Sequence, residues 1–202
     1  EVGHALLATL LKHADELNKV TIIPRSGGVE GFTQFLPQED MIDSGLYTRN
    51  WLLDRITVAL GGLAAEAEVF GDDETSTGSS NDIQQVTNLA RQMVTLYGMS
   101  ELGPMALESM DNQVFLGRNL MPRNEVSEEM AHRIDNKVRE IALSCFSQAR
   151  QVLRQNRSLM DHLVDLLLER ETVEGQEFRQ IVRQYVDIPE KTAPAPVKLV
   201  SL

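Results

Sequence analysis

Apolar residues recur at intervals of three and four along most of this chain, and two short stretches read as strands. The pattern predicts a mainly α-helical domain with a small β-hairpin near its start. Residues 1–14 read as a helix with Val2, Leu6, Leu10 and Ala14 on one stripe. Residues 20–24 and 31–36 read as two strands, joined through a turn at Arg25-Ser26-Gly27-Gly28 and closed by Pro37. One long helix is predicted over 48–70, capped by Thr48, striped by Leu52, Ile56, Ala59, Leu60, Leu63 and Ala67, and stopped by Gly71. Gly61 and Gly62 in its middle each cost roughly 1 kcal/mol of helix propensity. Two residues that small would also let another helix come close. A polar loop over 72–80 leads into a helix that begins at Ser79 or Ser80 and ends at Gly98.

Residues 100–124 read as an irregular or hairpin excursion around the apolar piece 113–117. The longest helix starts at Ser127, with Met130, Ile134, Val138, Ile141, Cys145, Ala149 and Val152 on its stripe. A further helix starts at Ser158 and carries Leu163, Val164, Leu166, Leu167 and Leu168. Thr172 reads as the cap of a last helix through Phe178, Ile181, Val182 and Tyr185. The Pro-containing stretch 187–202 reads as a disordered tail.

Composition narrows this picture. With 202 residues, 42% of them hydrophobic, the chain can bury a sizeable core. A net charge of −11 with no basic stripe argues against nucleic acid as a partner. The single cysteine, Cys145, excludes an internal disulfide and reads as a small buried apolar residue. No apolar run reaches the ~18–20 residues needed to cross a bilayer.

The candidate chemistry begins at the first residue. Glu1 and His4 form E-x-x-H, the back half of H-E-x-x-H, in which two histidines one turn apart bind zinc and the glutamate is the general base. The first histidine of such a motif would stand immediately before Glu1, so the chain reads as a piece of something longer. Spacing alone favours an ordinary surface pair on a helix. Ser79-x-x-Asp82 resembles a capping box, with an acid favoured by the helix dipole. Asp82 also heads the stripe of Val86, Leu89 and Met93, where a carboxylate needs a partner or a metal. Glu66 lies at the border of an apolar face. His13, His132 and His162 read as solvent-facing. The strand at 31–36 is either a lid over the core or an edge to which an extended peptide can be added. There is no internal repeat, no glycine-rich phosphate loop and no Ser/His/Asp pattern.

Several strings, in order, resemble the peptidase domain of the FtsH family, the membrane-tethered AAA+ zinc proteases. They are EVGHAL at 1–6, KVTIIPR at 19–25, GFTQFLP at 31–37, DRITVALGG at 54–62, STGSSNDI at 76–83 and VFLGR at 114–118. The wording is most similar to the cyanobacterial and chloroplast branch. The resemblance covers 1–186 and implies a catalytic part over 1–125 and a C-terminal helical part over 126–186. It implies a zinc ion held by His4, Asp82 and a histidine preceding Glu1, with Glu1 as catalytic base. Glu66 matches an acid of the family's Ala-Glu segment, a candidate to support the ligands or a false third ligand. Gly31, Phe32, Thr33, Gln34 and Phe35 match the substrate-binding edge strand. The implied activity is endopeptidase cleavage of unfolded, damaged or misassembled proteins, largely membrane proteins, within a homo- or hetero-hexamer. ATP and Mg2+ would be bound only by an ATPase module upstream of this chain. A membrane segment, also upstream, would tether the parent protein with this domain on the cytoplasmic or stromal side, the thylakoid being one such membrane. The alternative is a catalytically silent FtsH-like domain with an assembly role.

Overall fold

The computed structural model describes residues 1–24, 31–36, 45–108 and 126–191. The described chain is mainly helical with one small antiparallel sheet, as the periodicity predicts. Helix α1 spans Val2–Leu10, and strands β1 and β2 span Glu16–Thr21 and Phe32–Leu36. Helices α2 (Arg49–Ala59) and α3 (Gly61–Phe70) follow, then short 3-10 turns at Asp72–Glu74 and Thr77–Ser79. Next come α4 (Ser80–Thr95), α5 (Glu128–Gln155), α6 (Arg157–Arg170), strand β3 (Thr172–Glu174) and α7 (Gly175–Val182). The predicted turn at 25–28, the apolar piece at 113–117 and the tail from 192 onward lie outside the described residues.

Helix α1 is a core helix. A single stripe was the expectation, but Val2, Gly3, Ala5, Leu6, Leu7, Ala8 and Thr9 are all buried, so it is covered on nearly every side. It packs in the larger of two apolar clusters with Leu17 and Val20 of β1, Ala149 and Leu153 of α5, Leu163 of α6 and Phe178 of α7. The second cluster joins α2, α4 and the middle of α5 through Leu52, Ile56, Val86, Met93 and Cys145. Phe146 packs against both, so the 28-residue α5 spans the two clusters. Ser127 caps α5 as its position predicts, accepting a hydrogen bond from the Met130 amide at 3.2 Å.

The helix predicted over 48–70 is two helices. Thr48 does cap the first, accepting from the Trp51 amide at 3.2 Å. Leu60, at φ −79° and ψ 0°, then interrupts the helix immediately before the two glycines. Most buried side chains of α2 face the second cluster, while Val58 of α2 and Ala64 of α3 face the first. The glycines are needed where α3 crosses α1. A Cβ on Gly3 would lie 2.3 Å from the Gly61 carbonyl oxygen, and one on Gly61 would lie 2.7 Å from the His4 amide nitrogen. The two backbones touch there, as the small residues suggested.

The sheet has the order β2-β1-β3. In β1–β2, Val20 faces Thr33 and Thr21 faces Phe32, with an irregularity between Leu17 and Lys19. Strand β3 corrects the reading of Thr172 as a helix cap. Thr172 pairs with Thr21, their hydroxyls 2.7 Å apart, and Glu174 occupies the cap position of α7. Strand β1 itself begins at Glu16, earlier than the strand predicted over 20–24. Its residues Glu16, Asn18 and Lys19 broke the apolar run by which a strand is recognised. Farther along, Ile188 packs against the first cluster. Lys191 Nζ donates to the carbonyls of Ala8 and Leu11, covering the C-terminal end of α1.

A charged seam fastens α3 to α5. The Glu68 carboxylate accepts from Arg150 Nε at 2.6 Å and from Arg154 Nε at 2.9 Å, and Arg157 donates to the Glu68 carbonyl at 2.8 Å. Hydrogen bonding to Arg154 and then to Arg150 holds the Glu68 carboxyl at about 2, against an ordinary 4.5. Because the folded value is depressed, this stabilisation is complete above 4.5 and is lost as pH falls toward 2. Glu68→Gln should therefore flatten the acid-side decline in melting temperature between about pH 5 and pH 2. Thermal unfolding of both proteins across that window checks it, and parallel curves would contradict it.

Candidate metal centre

His4 is the ionisable residue of α1, with its side chain 14% exposed. The neighbouring helix break supplies its first partner. Val58 is among the last residues of α2, and its carbonyl, approached on the helix side by the Leu60 amide, is free to take a further donor. Its carbonyl oxygen lies 2.7 Å from His4 Nδ1. A carbonyl can only accept, so Nδ1 carries a proton, and Nε2 is the nitrogen turned toward the cleft, with a lone pair to offer in the neutral ring. This orienting bond to the far ring nitrogen is the usual support of a metal-binding histidine. Gly62 leaves the space for the ring, since a Cβ there would stand 2.9 Å from Nε2.

Asp82 comes to the same point from α4. Its Oδ2 lies 3.5 Å from His4 Nε2. The capping-box reading of Ser79 and Asp82 does not describe what happens: Ser79 holds the cap position but makes no side-chain cap bond, and Asp82 turns to His4. Burial raises the Asp82 carboxyl above its ordinary value, the His4 ring opposes this, and the charge of Glu1 adds to it. The 3.5 Å gap exceeds an ordinary N–H···O bond of about 2.7–3.2 Å. It matches two donors around one tetrahedral ion, since ligands ~2.0–2.2 Å from zinc stand about 3.3–3.6 Å apart. One imidazole nitrogen and one carboxylate oxygen also suit zinc chemically. Among the described residues no group of three His, Cys, Asp or Glu side chains is placed to hold a metal.

Glu66 is not directed at His4. Its two carboxylate oxygens accept from the Ser76 amide at 2.7 Å and the Ser76 hydroxyl at 2.8 Å. The bond ties α3 to the loop that leads into α4, six residues ahead of Asp82. Glu1 lies at the N-cap of α1, and its Oε2 accepts from the Thr33 hydroxyl at 2.6 Å. Glu1, His4 and Asp82 open into a cleft of about 380 Å³, bordered along β2 by Gly31, Phe32, Thr33 and Phe35. Gln34 is not part of that lining and pairs across to Lys19. His132 and His162 are exposed on α5 and α6, and His13 lies half-buried just beyond α1.

The far wall of the cleft was not apparent from the sequence. Arg55 lies over the Trp51 ring at 5.1 Å, while Asp15 accepts from Trp51 Nε1 at 3.1 Å and lies 3.6 Å from Arg55. The only usable signal was that Trp51 and Arg55 are one helical turn apart on a face next to the apolar stripe.

Among the described residues β2 is an edge strand, and it runs beside the His4–Asp82 pair. The model of peptidase family M41 matches residues 1–181, and the chain belongs to that family. Among its relatives is the "ATP-dependent zinc metalloprotease FtsH" of Trieres chinensis, 48% identical over 96% of this chain and 30% of that protein. "FtsH 3" of Synechocystis is 45% identical over 90% of this chain and 30% of its own length. The chloroplastic "FTSH 6" of Arabidopsis thaliana is 46% identical over 95% of this chain and 28% of its own length. The chain thus spans under a third of these relatives. No helix among the described residues is long and apolar enough to cross a membrane.

Gly62→Ala separates the site from the fold. Alanine is the better helix former by roughly 0.5–1 kcal/mol, so unfolding should shift little or toward higher temperature. Its Cβ displaces the His4 ring, so zinc affinity should fall about 10–100-fold, as when a supporting contact of a metal ligand is lost. Calorimetry and competitive zinc titration together check this. An unchanged zinc affinity would show that the ring tolerates the methyl group.

Proposed function

We propose that this chain is the zinc endopeptidase domain of an ATP-dependent protease acting on unfolded, damaged or misassembled polypeptides. The observation that carries the reading is the 3.5 Å approach of Asp82 to a His4 ring whose other nitrogen is already committed to the Val58 carbonyl. Its support from relatives is the zinc metalloprotease named in each of them. In this reading His4 and Asp82 hold the metal, with a histidine immediately before Glu1 as the third protein ligand. Bound zinc supplies a water acidified toward pKa ~7 and polarises the scissile carbonyl.

The chain's own residues do the rest. Glu1 takes a proton onto its carboxylate and returns it to the leaving amide nitrogen. The open edge of β2 takes the substrate backbone as an added strand, which accepts many sequences provided they are extended. Among the described residues of the lining, Arg55 is the one arginine or lysine, and it lies 3.6 Å from Asp15. We further propose that the parent protein is membrane-tethered through a segment upstream of this chain and assembles as a homo- or hetero-hexamer, where the ATPase module delivers unfolded chain.

Glu1→Gln in the intact protease should lower peptide cleavage by about 10²–10⁴-fold, the usual worth of a general base, with zinc retained. Asp82→Asn should lose both zinc and cleavage while ATP hydrolysis continues. Normal cleavage by either variant would overturn the role given to that residue, whereas absence of cleavage by the unsubstituted domain would favour a silent assembly role.

A further inference from the structure

We infer that Thr33 is a positioning residue for the base, so that the strand which receives the substrate also aims the carboxylate that cleaves it. The inference rests on the reading of Glu1 as general base. Thr33 was grouped with its neighbours as edge-strand backbone, but its side chain has a separate task. Its hydroxyl has one proton to donate. The nearer acceptor is Glu1 Oε2 at 2.6 Å, and the Glu1 main-chain oxygen lies at 3.2 Å. The shorter distance falls in the range of a charge-assisted O–H···O⁻ bond, so the proton goes to the carboxylate. With Oε2 engaged, Oε1 is the oxygen left to meet a proton.

The same segment also borders the Glu1 stem at Gly31, two residues earlier on the same strand side, where the β1 backbone is what chiefly excludes a side chain. A Cβ at Gly31 would lie 3.3 Å from Glu1 Cγ and 2.8 Å from the Thr21 carbonyl oxygen. The base is therefore bounded by Gly31 and bonded by Thr33, both belonging to the segment whose edge faces the cleft. Thr33 is itself held opposite Val20 of the central strand. An extended substrate added to β2 would pair with that strand and restrain it further. Binding of the peptide backbone then steadies the hydroxyl, and through it the base, before the chemical step.

The prediction is a split between rate and binding. In the intact protease, Thr33→Val keeps the side-chain shape and removes the hydroxyl. It should lower kcat for an unstructured reporter peptide about 10–100-fold, the effect of losing one hydrogen bond to a charged group. KM and zinc content should stay within about twofold, a margin far smaller than the kcat change. Thr33→Ser restores the hydroxyl without the methyl and should recover kcat to within about threefold. A Thr33→Val enzyme with unchanged kcat, or with raised KM alone, would overturn the inference. So would a Thr33→Ser variant as slow as the valine one, since packing would then be what was lost. Glu1→Gln measured alongside separates the two claims. If Glu1→Gln cleaves normally, the base assignment falls. If it is dead while Thr33→Val is normal, only the positioning role falls. The double variant should be no slower than Glu1→Gln alone, because the hydroxyl acts through that carboxylate.

Discussion

The site depends on one contact between two backbones, where α1 and α3 cross at Gly3 and Gly61. Packed helices are ordinarily kept 8–10 Å apart, axis to axis, by their side chains. Here glycines stand at the crossing with only the Ala65 methyl beside them, and a methyl group on Gly3 would meet the Gly61 carbonyl oxygen at 2.3 Å. This closeness places the His4 ring over Gly62 and within reach of the Val58 carbonyl. The interruption at Leu60 belongs to the same arrangement, since it ends α2 where that carbonyl is needed. The fold therefore sets the ring's position and the identity of its protonated nitrogen before any ligand arrives.

The remaining groups are brought in from elsewhere in the chain, each by its own fastening. Glu66 ties the loop before α4 through Ser76, and Asp82 follows six residues later. Thr33 ties β2 to Glu1. Lys191 covers the far end of α1. Burial of α1 makes these ties effective, because a helix covered on nearly all sides has little room to tilt. The groups of the proposed site are thus spread over four segments, at residues 1–4, 33, 58 and 82.

Much of the fold could be read from periodicity because each long helix keeps an apolar face over several turns. The caps at Thr48 and Ser127 were legible for a local reason: a side-chain oxygen reaching an amide three residues on needs no tertiary information. Asp82 stood out because a carboxylate at the head of a buried stripe is costly without a partner. Other features depended on contacts that spacing does not encode. Strand β3 is three residues long and gains its pairing from Thr21, some 150 positions earlier, so Thr172 looked like an ordinary cap. Glycine content marked a close approach at Gly61 but could not reveal that the helix is interrupted there. Likewise Trp51, Arg55 and Asp15 converge only because α2 crosses the end of α1, and Thr33 is an unremarkable strand residue until Glu1 is placed beside it.

The central claim is that one metal ion joins His4 to Asp82, and anomalous diffraction from crystals of the zinc-loaded intact protease tests it most directly. Maps calculated from data on either side of the zinc absorption edge should contain a peak within ~2.0–2.2 Å of both His4 Nε2 and Asp82 Oδ2. The His4 Nδ1 bond to the Val58 carbonyl should be unchanged. A zinc peak coordinated by other side chains, with Asp82 turned away to cap α4, would contradict the account.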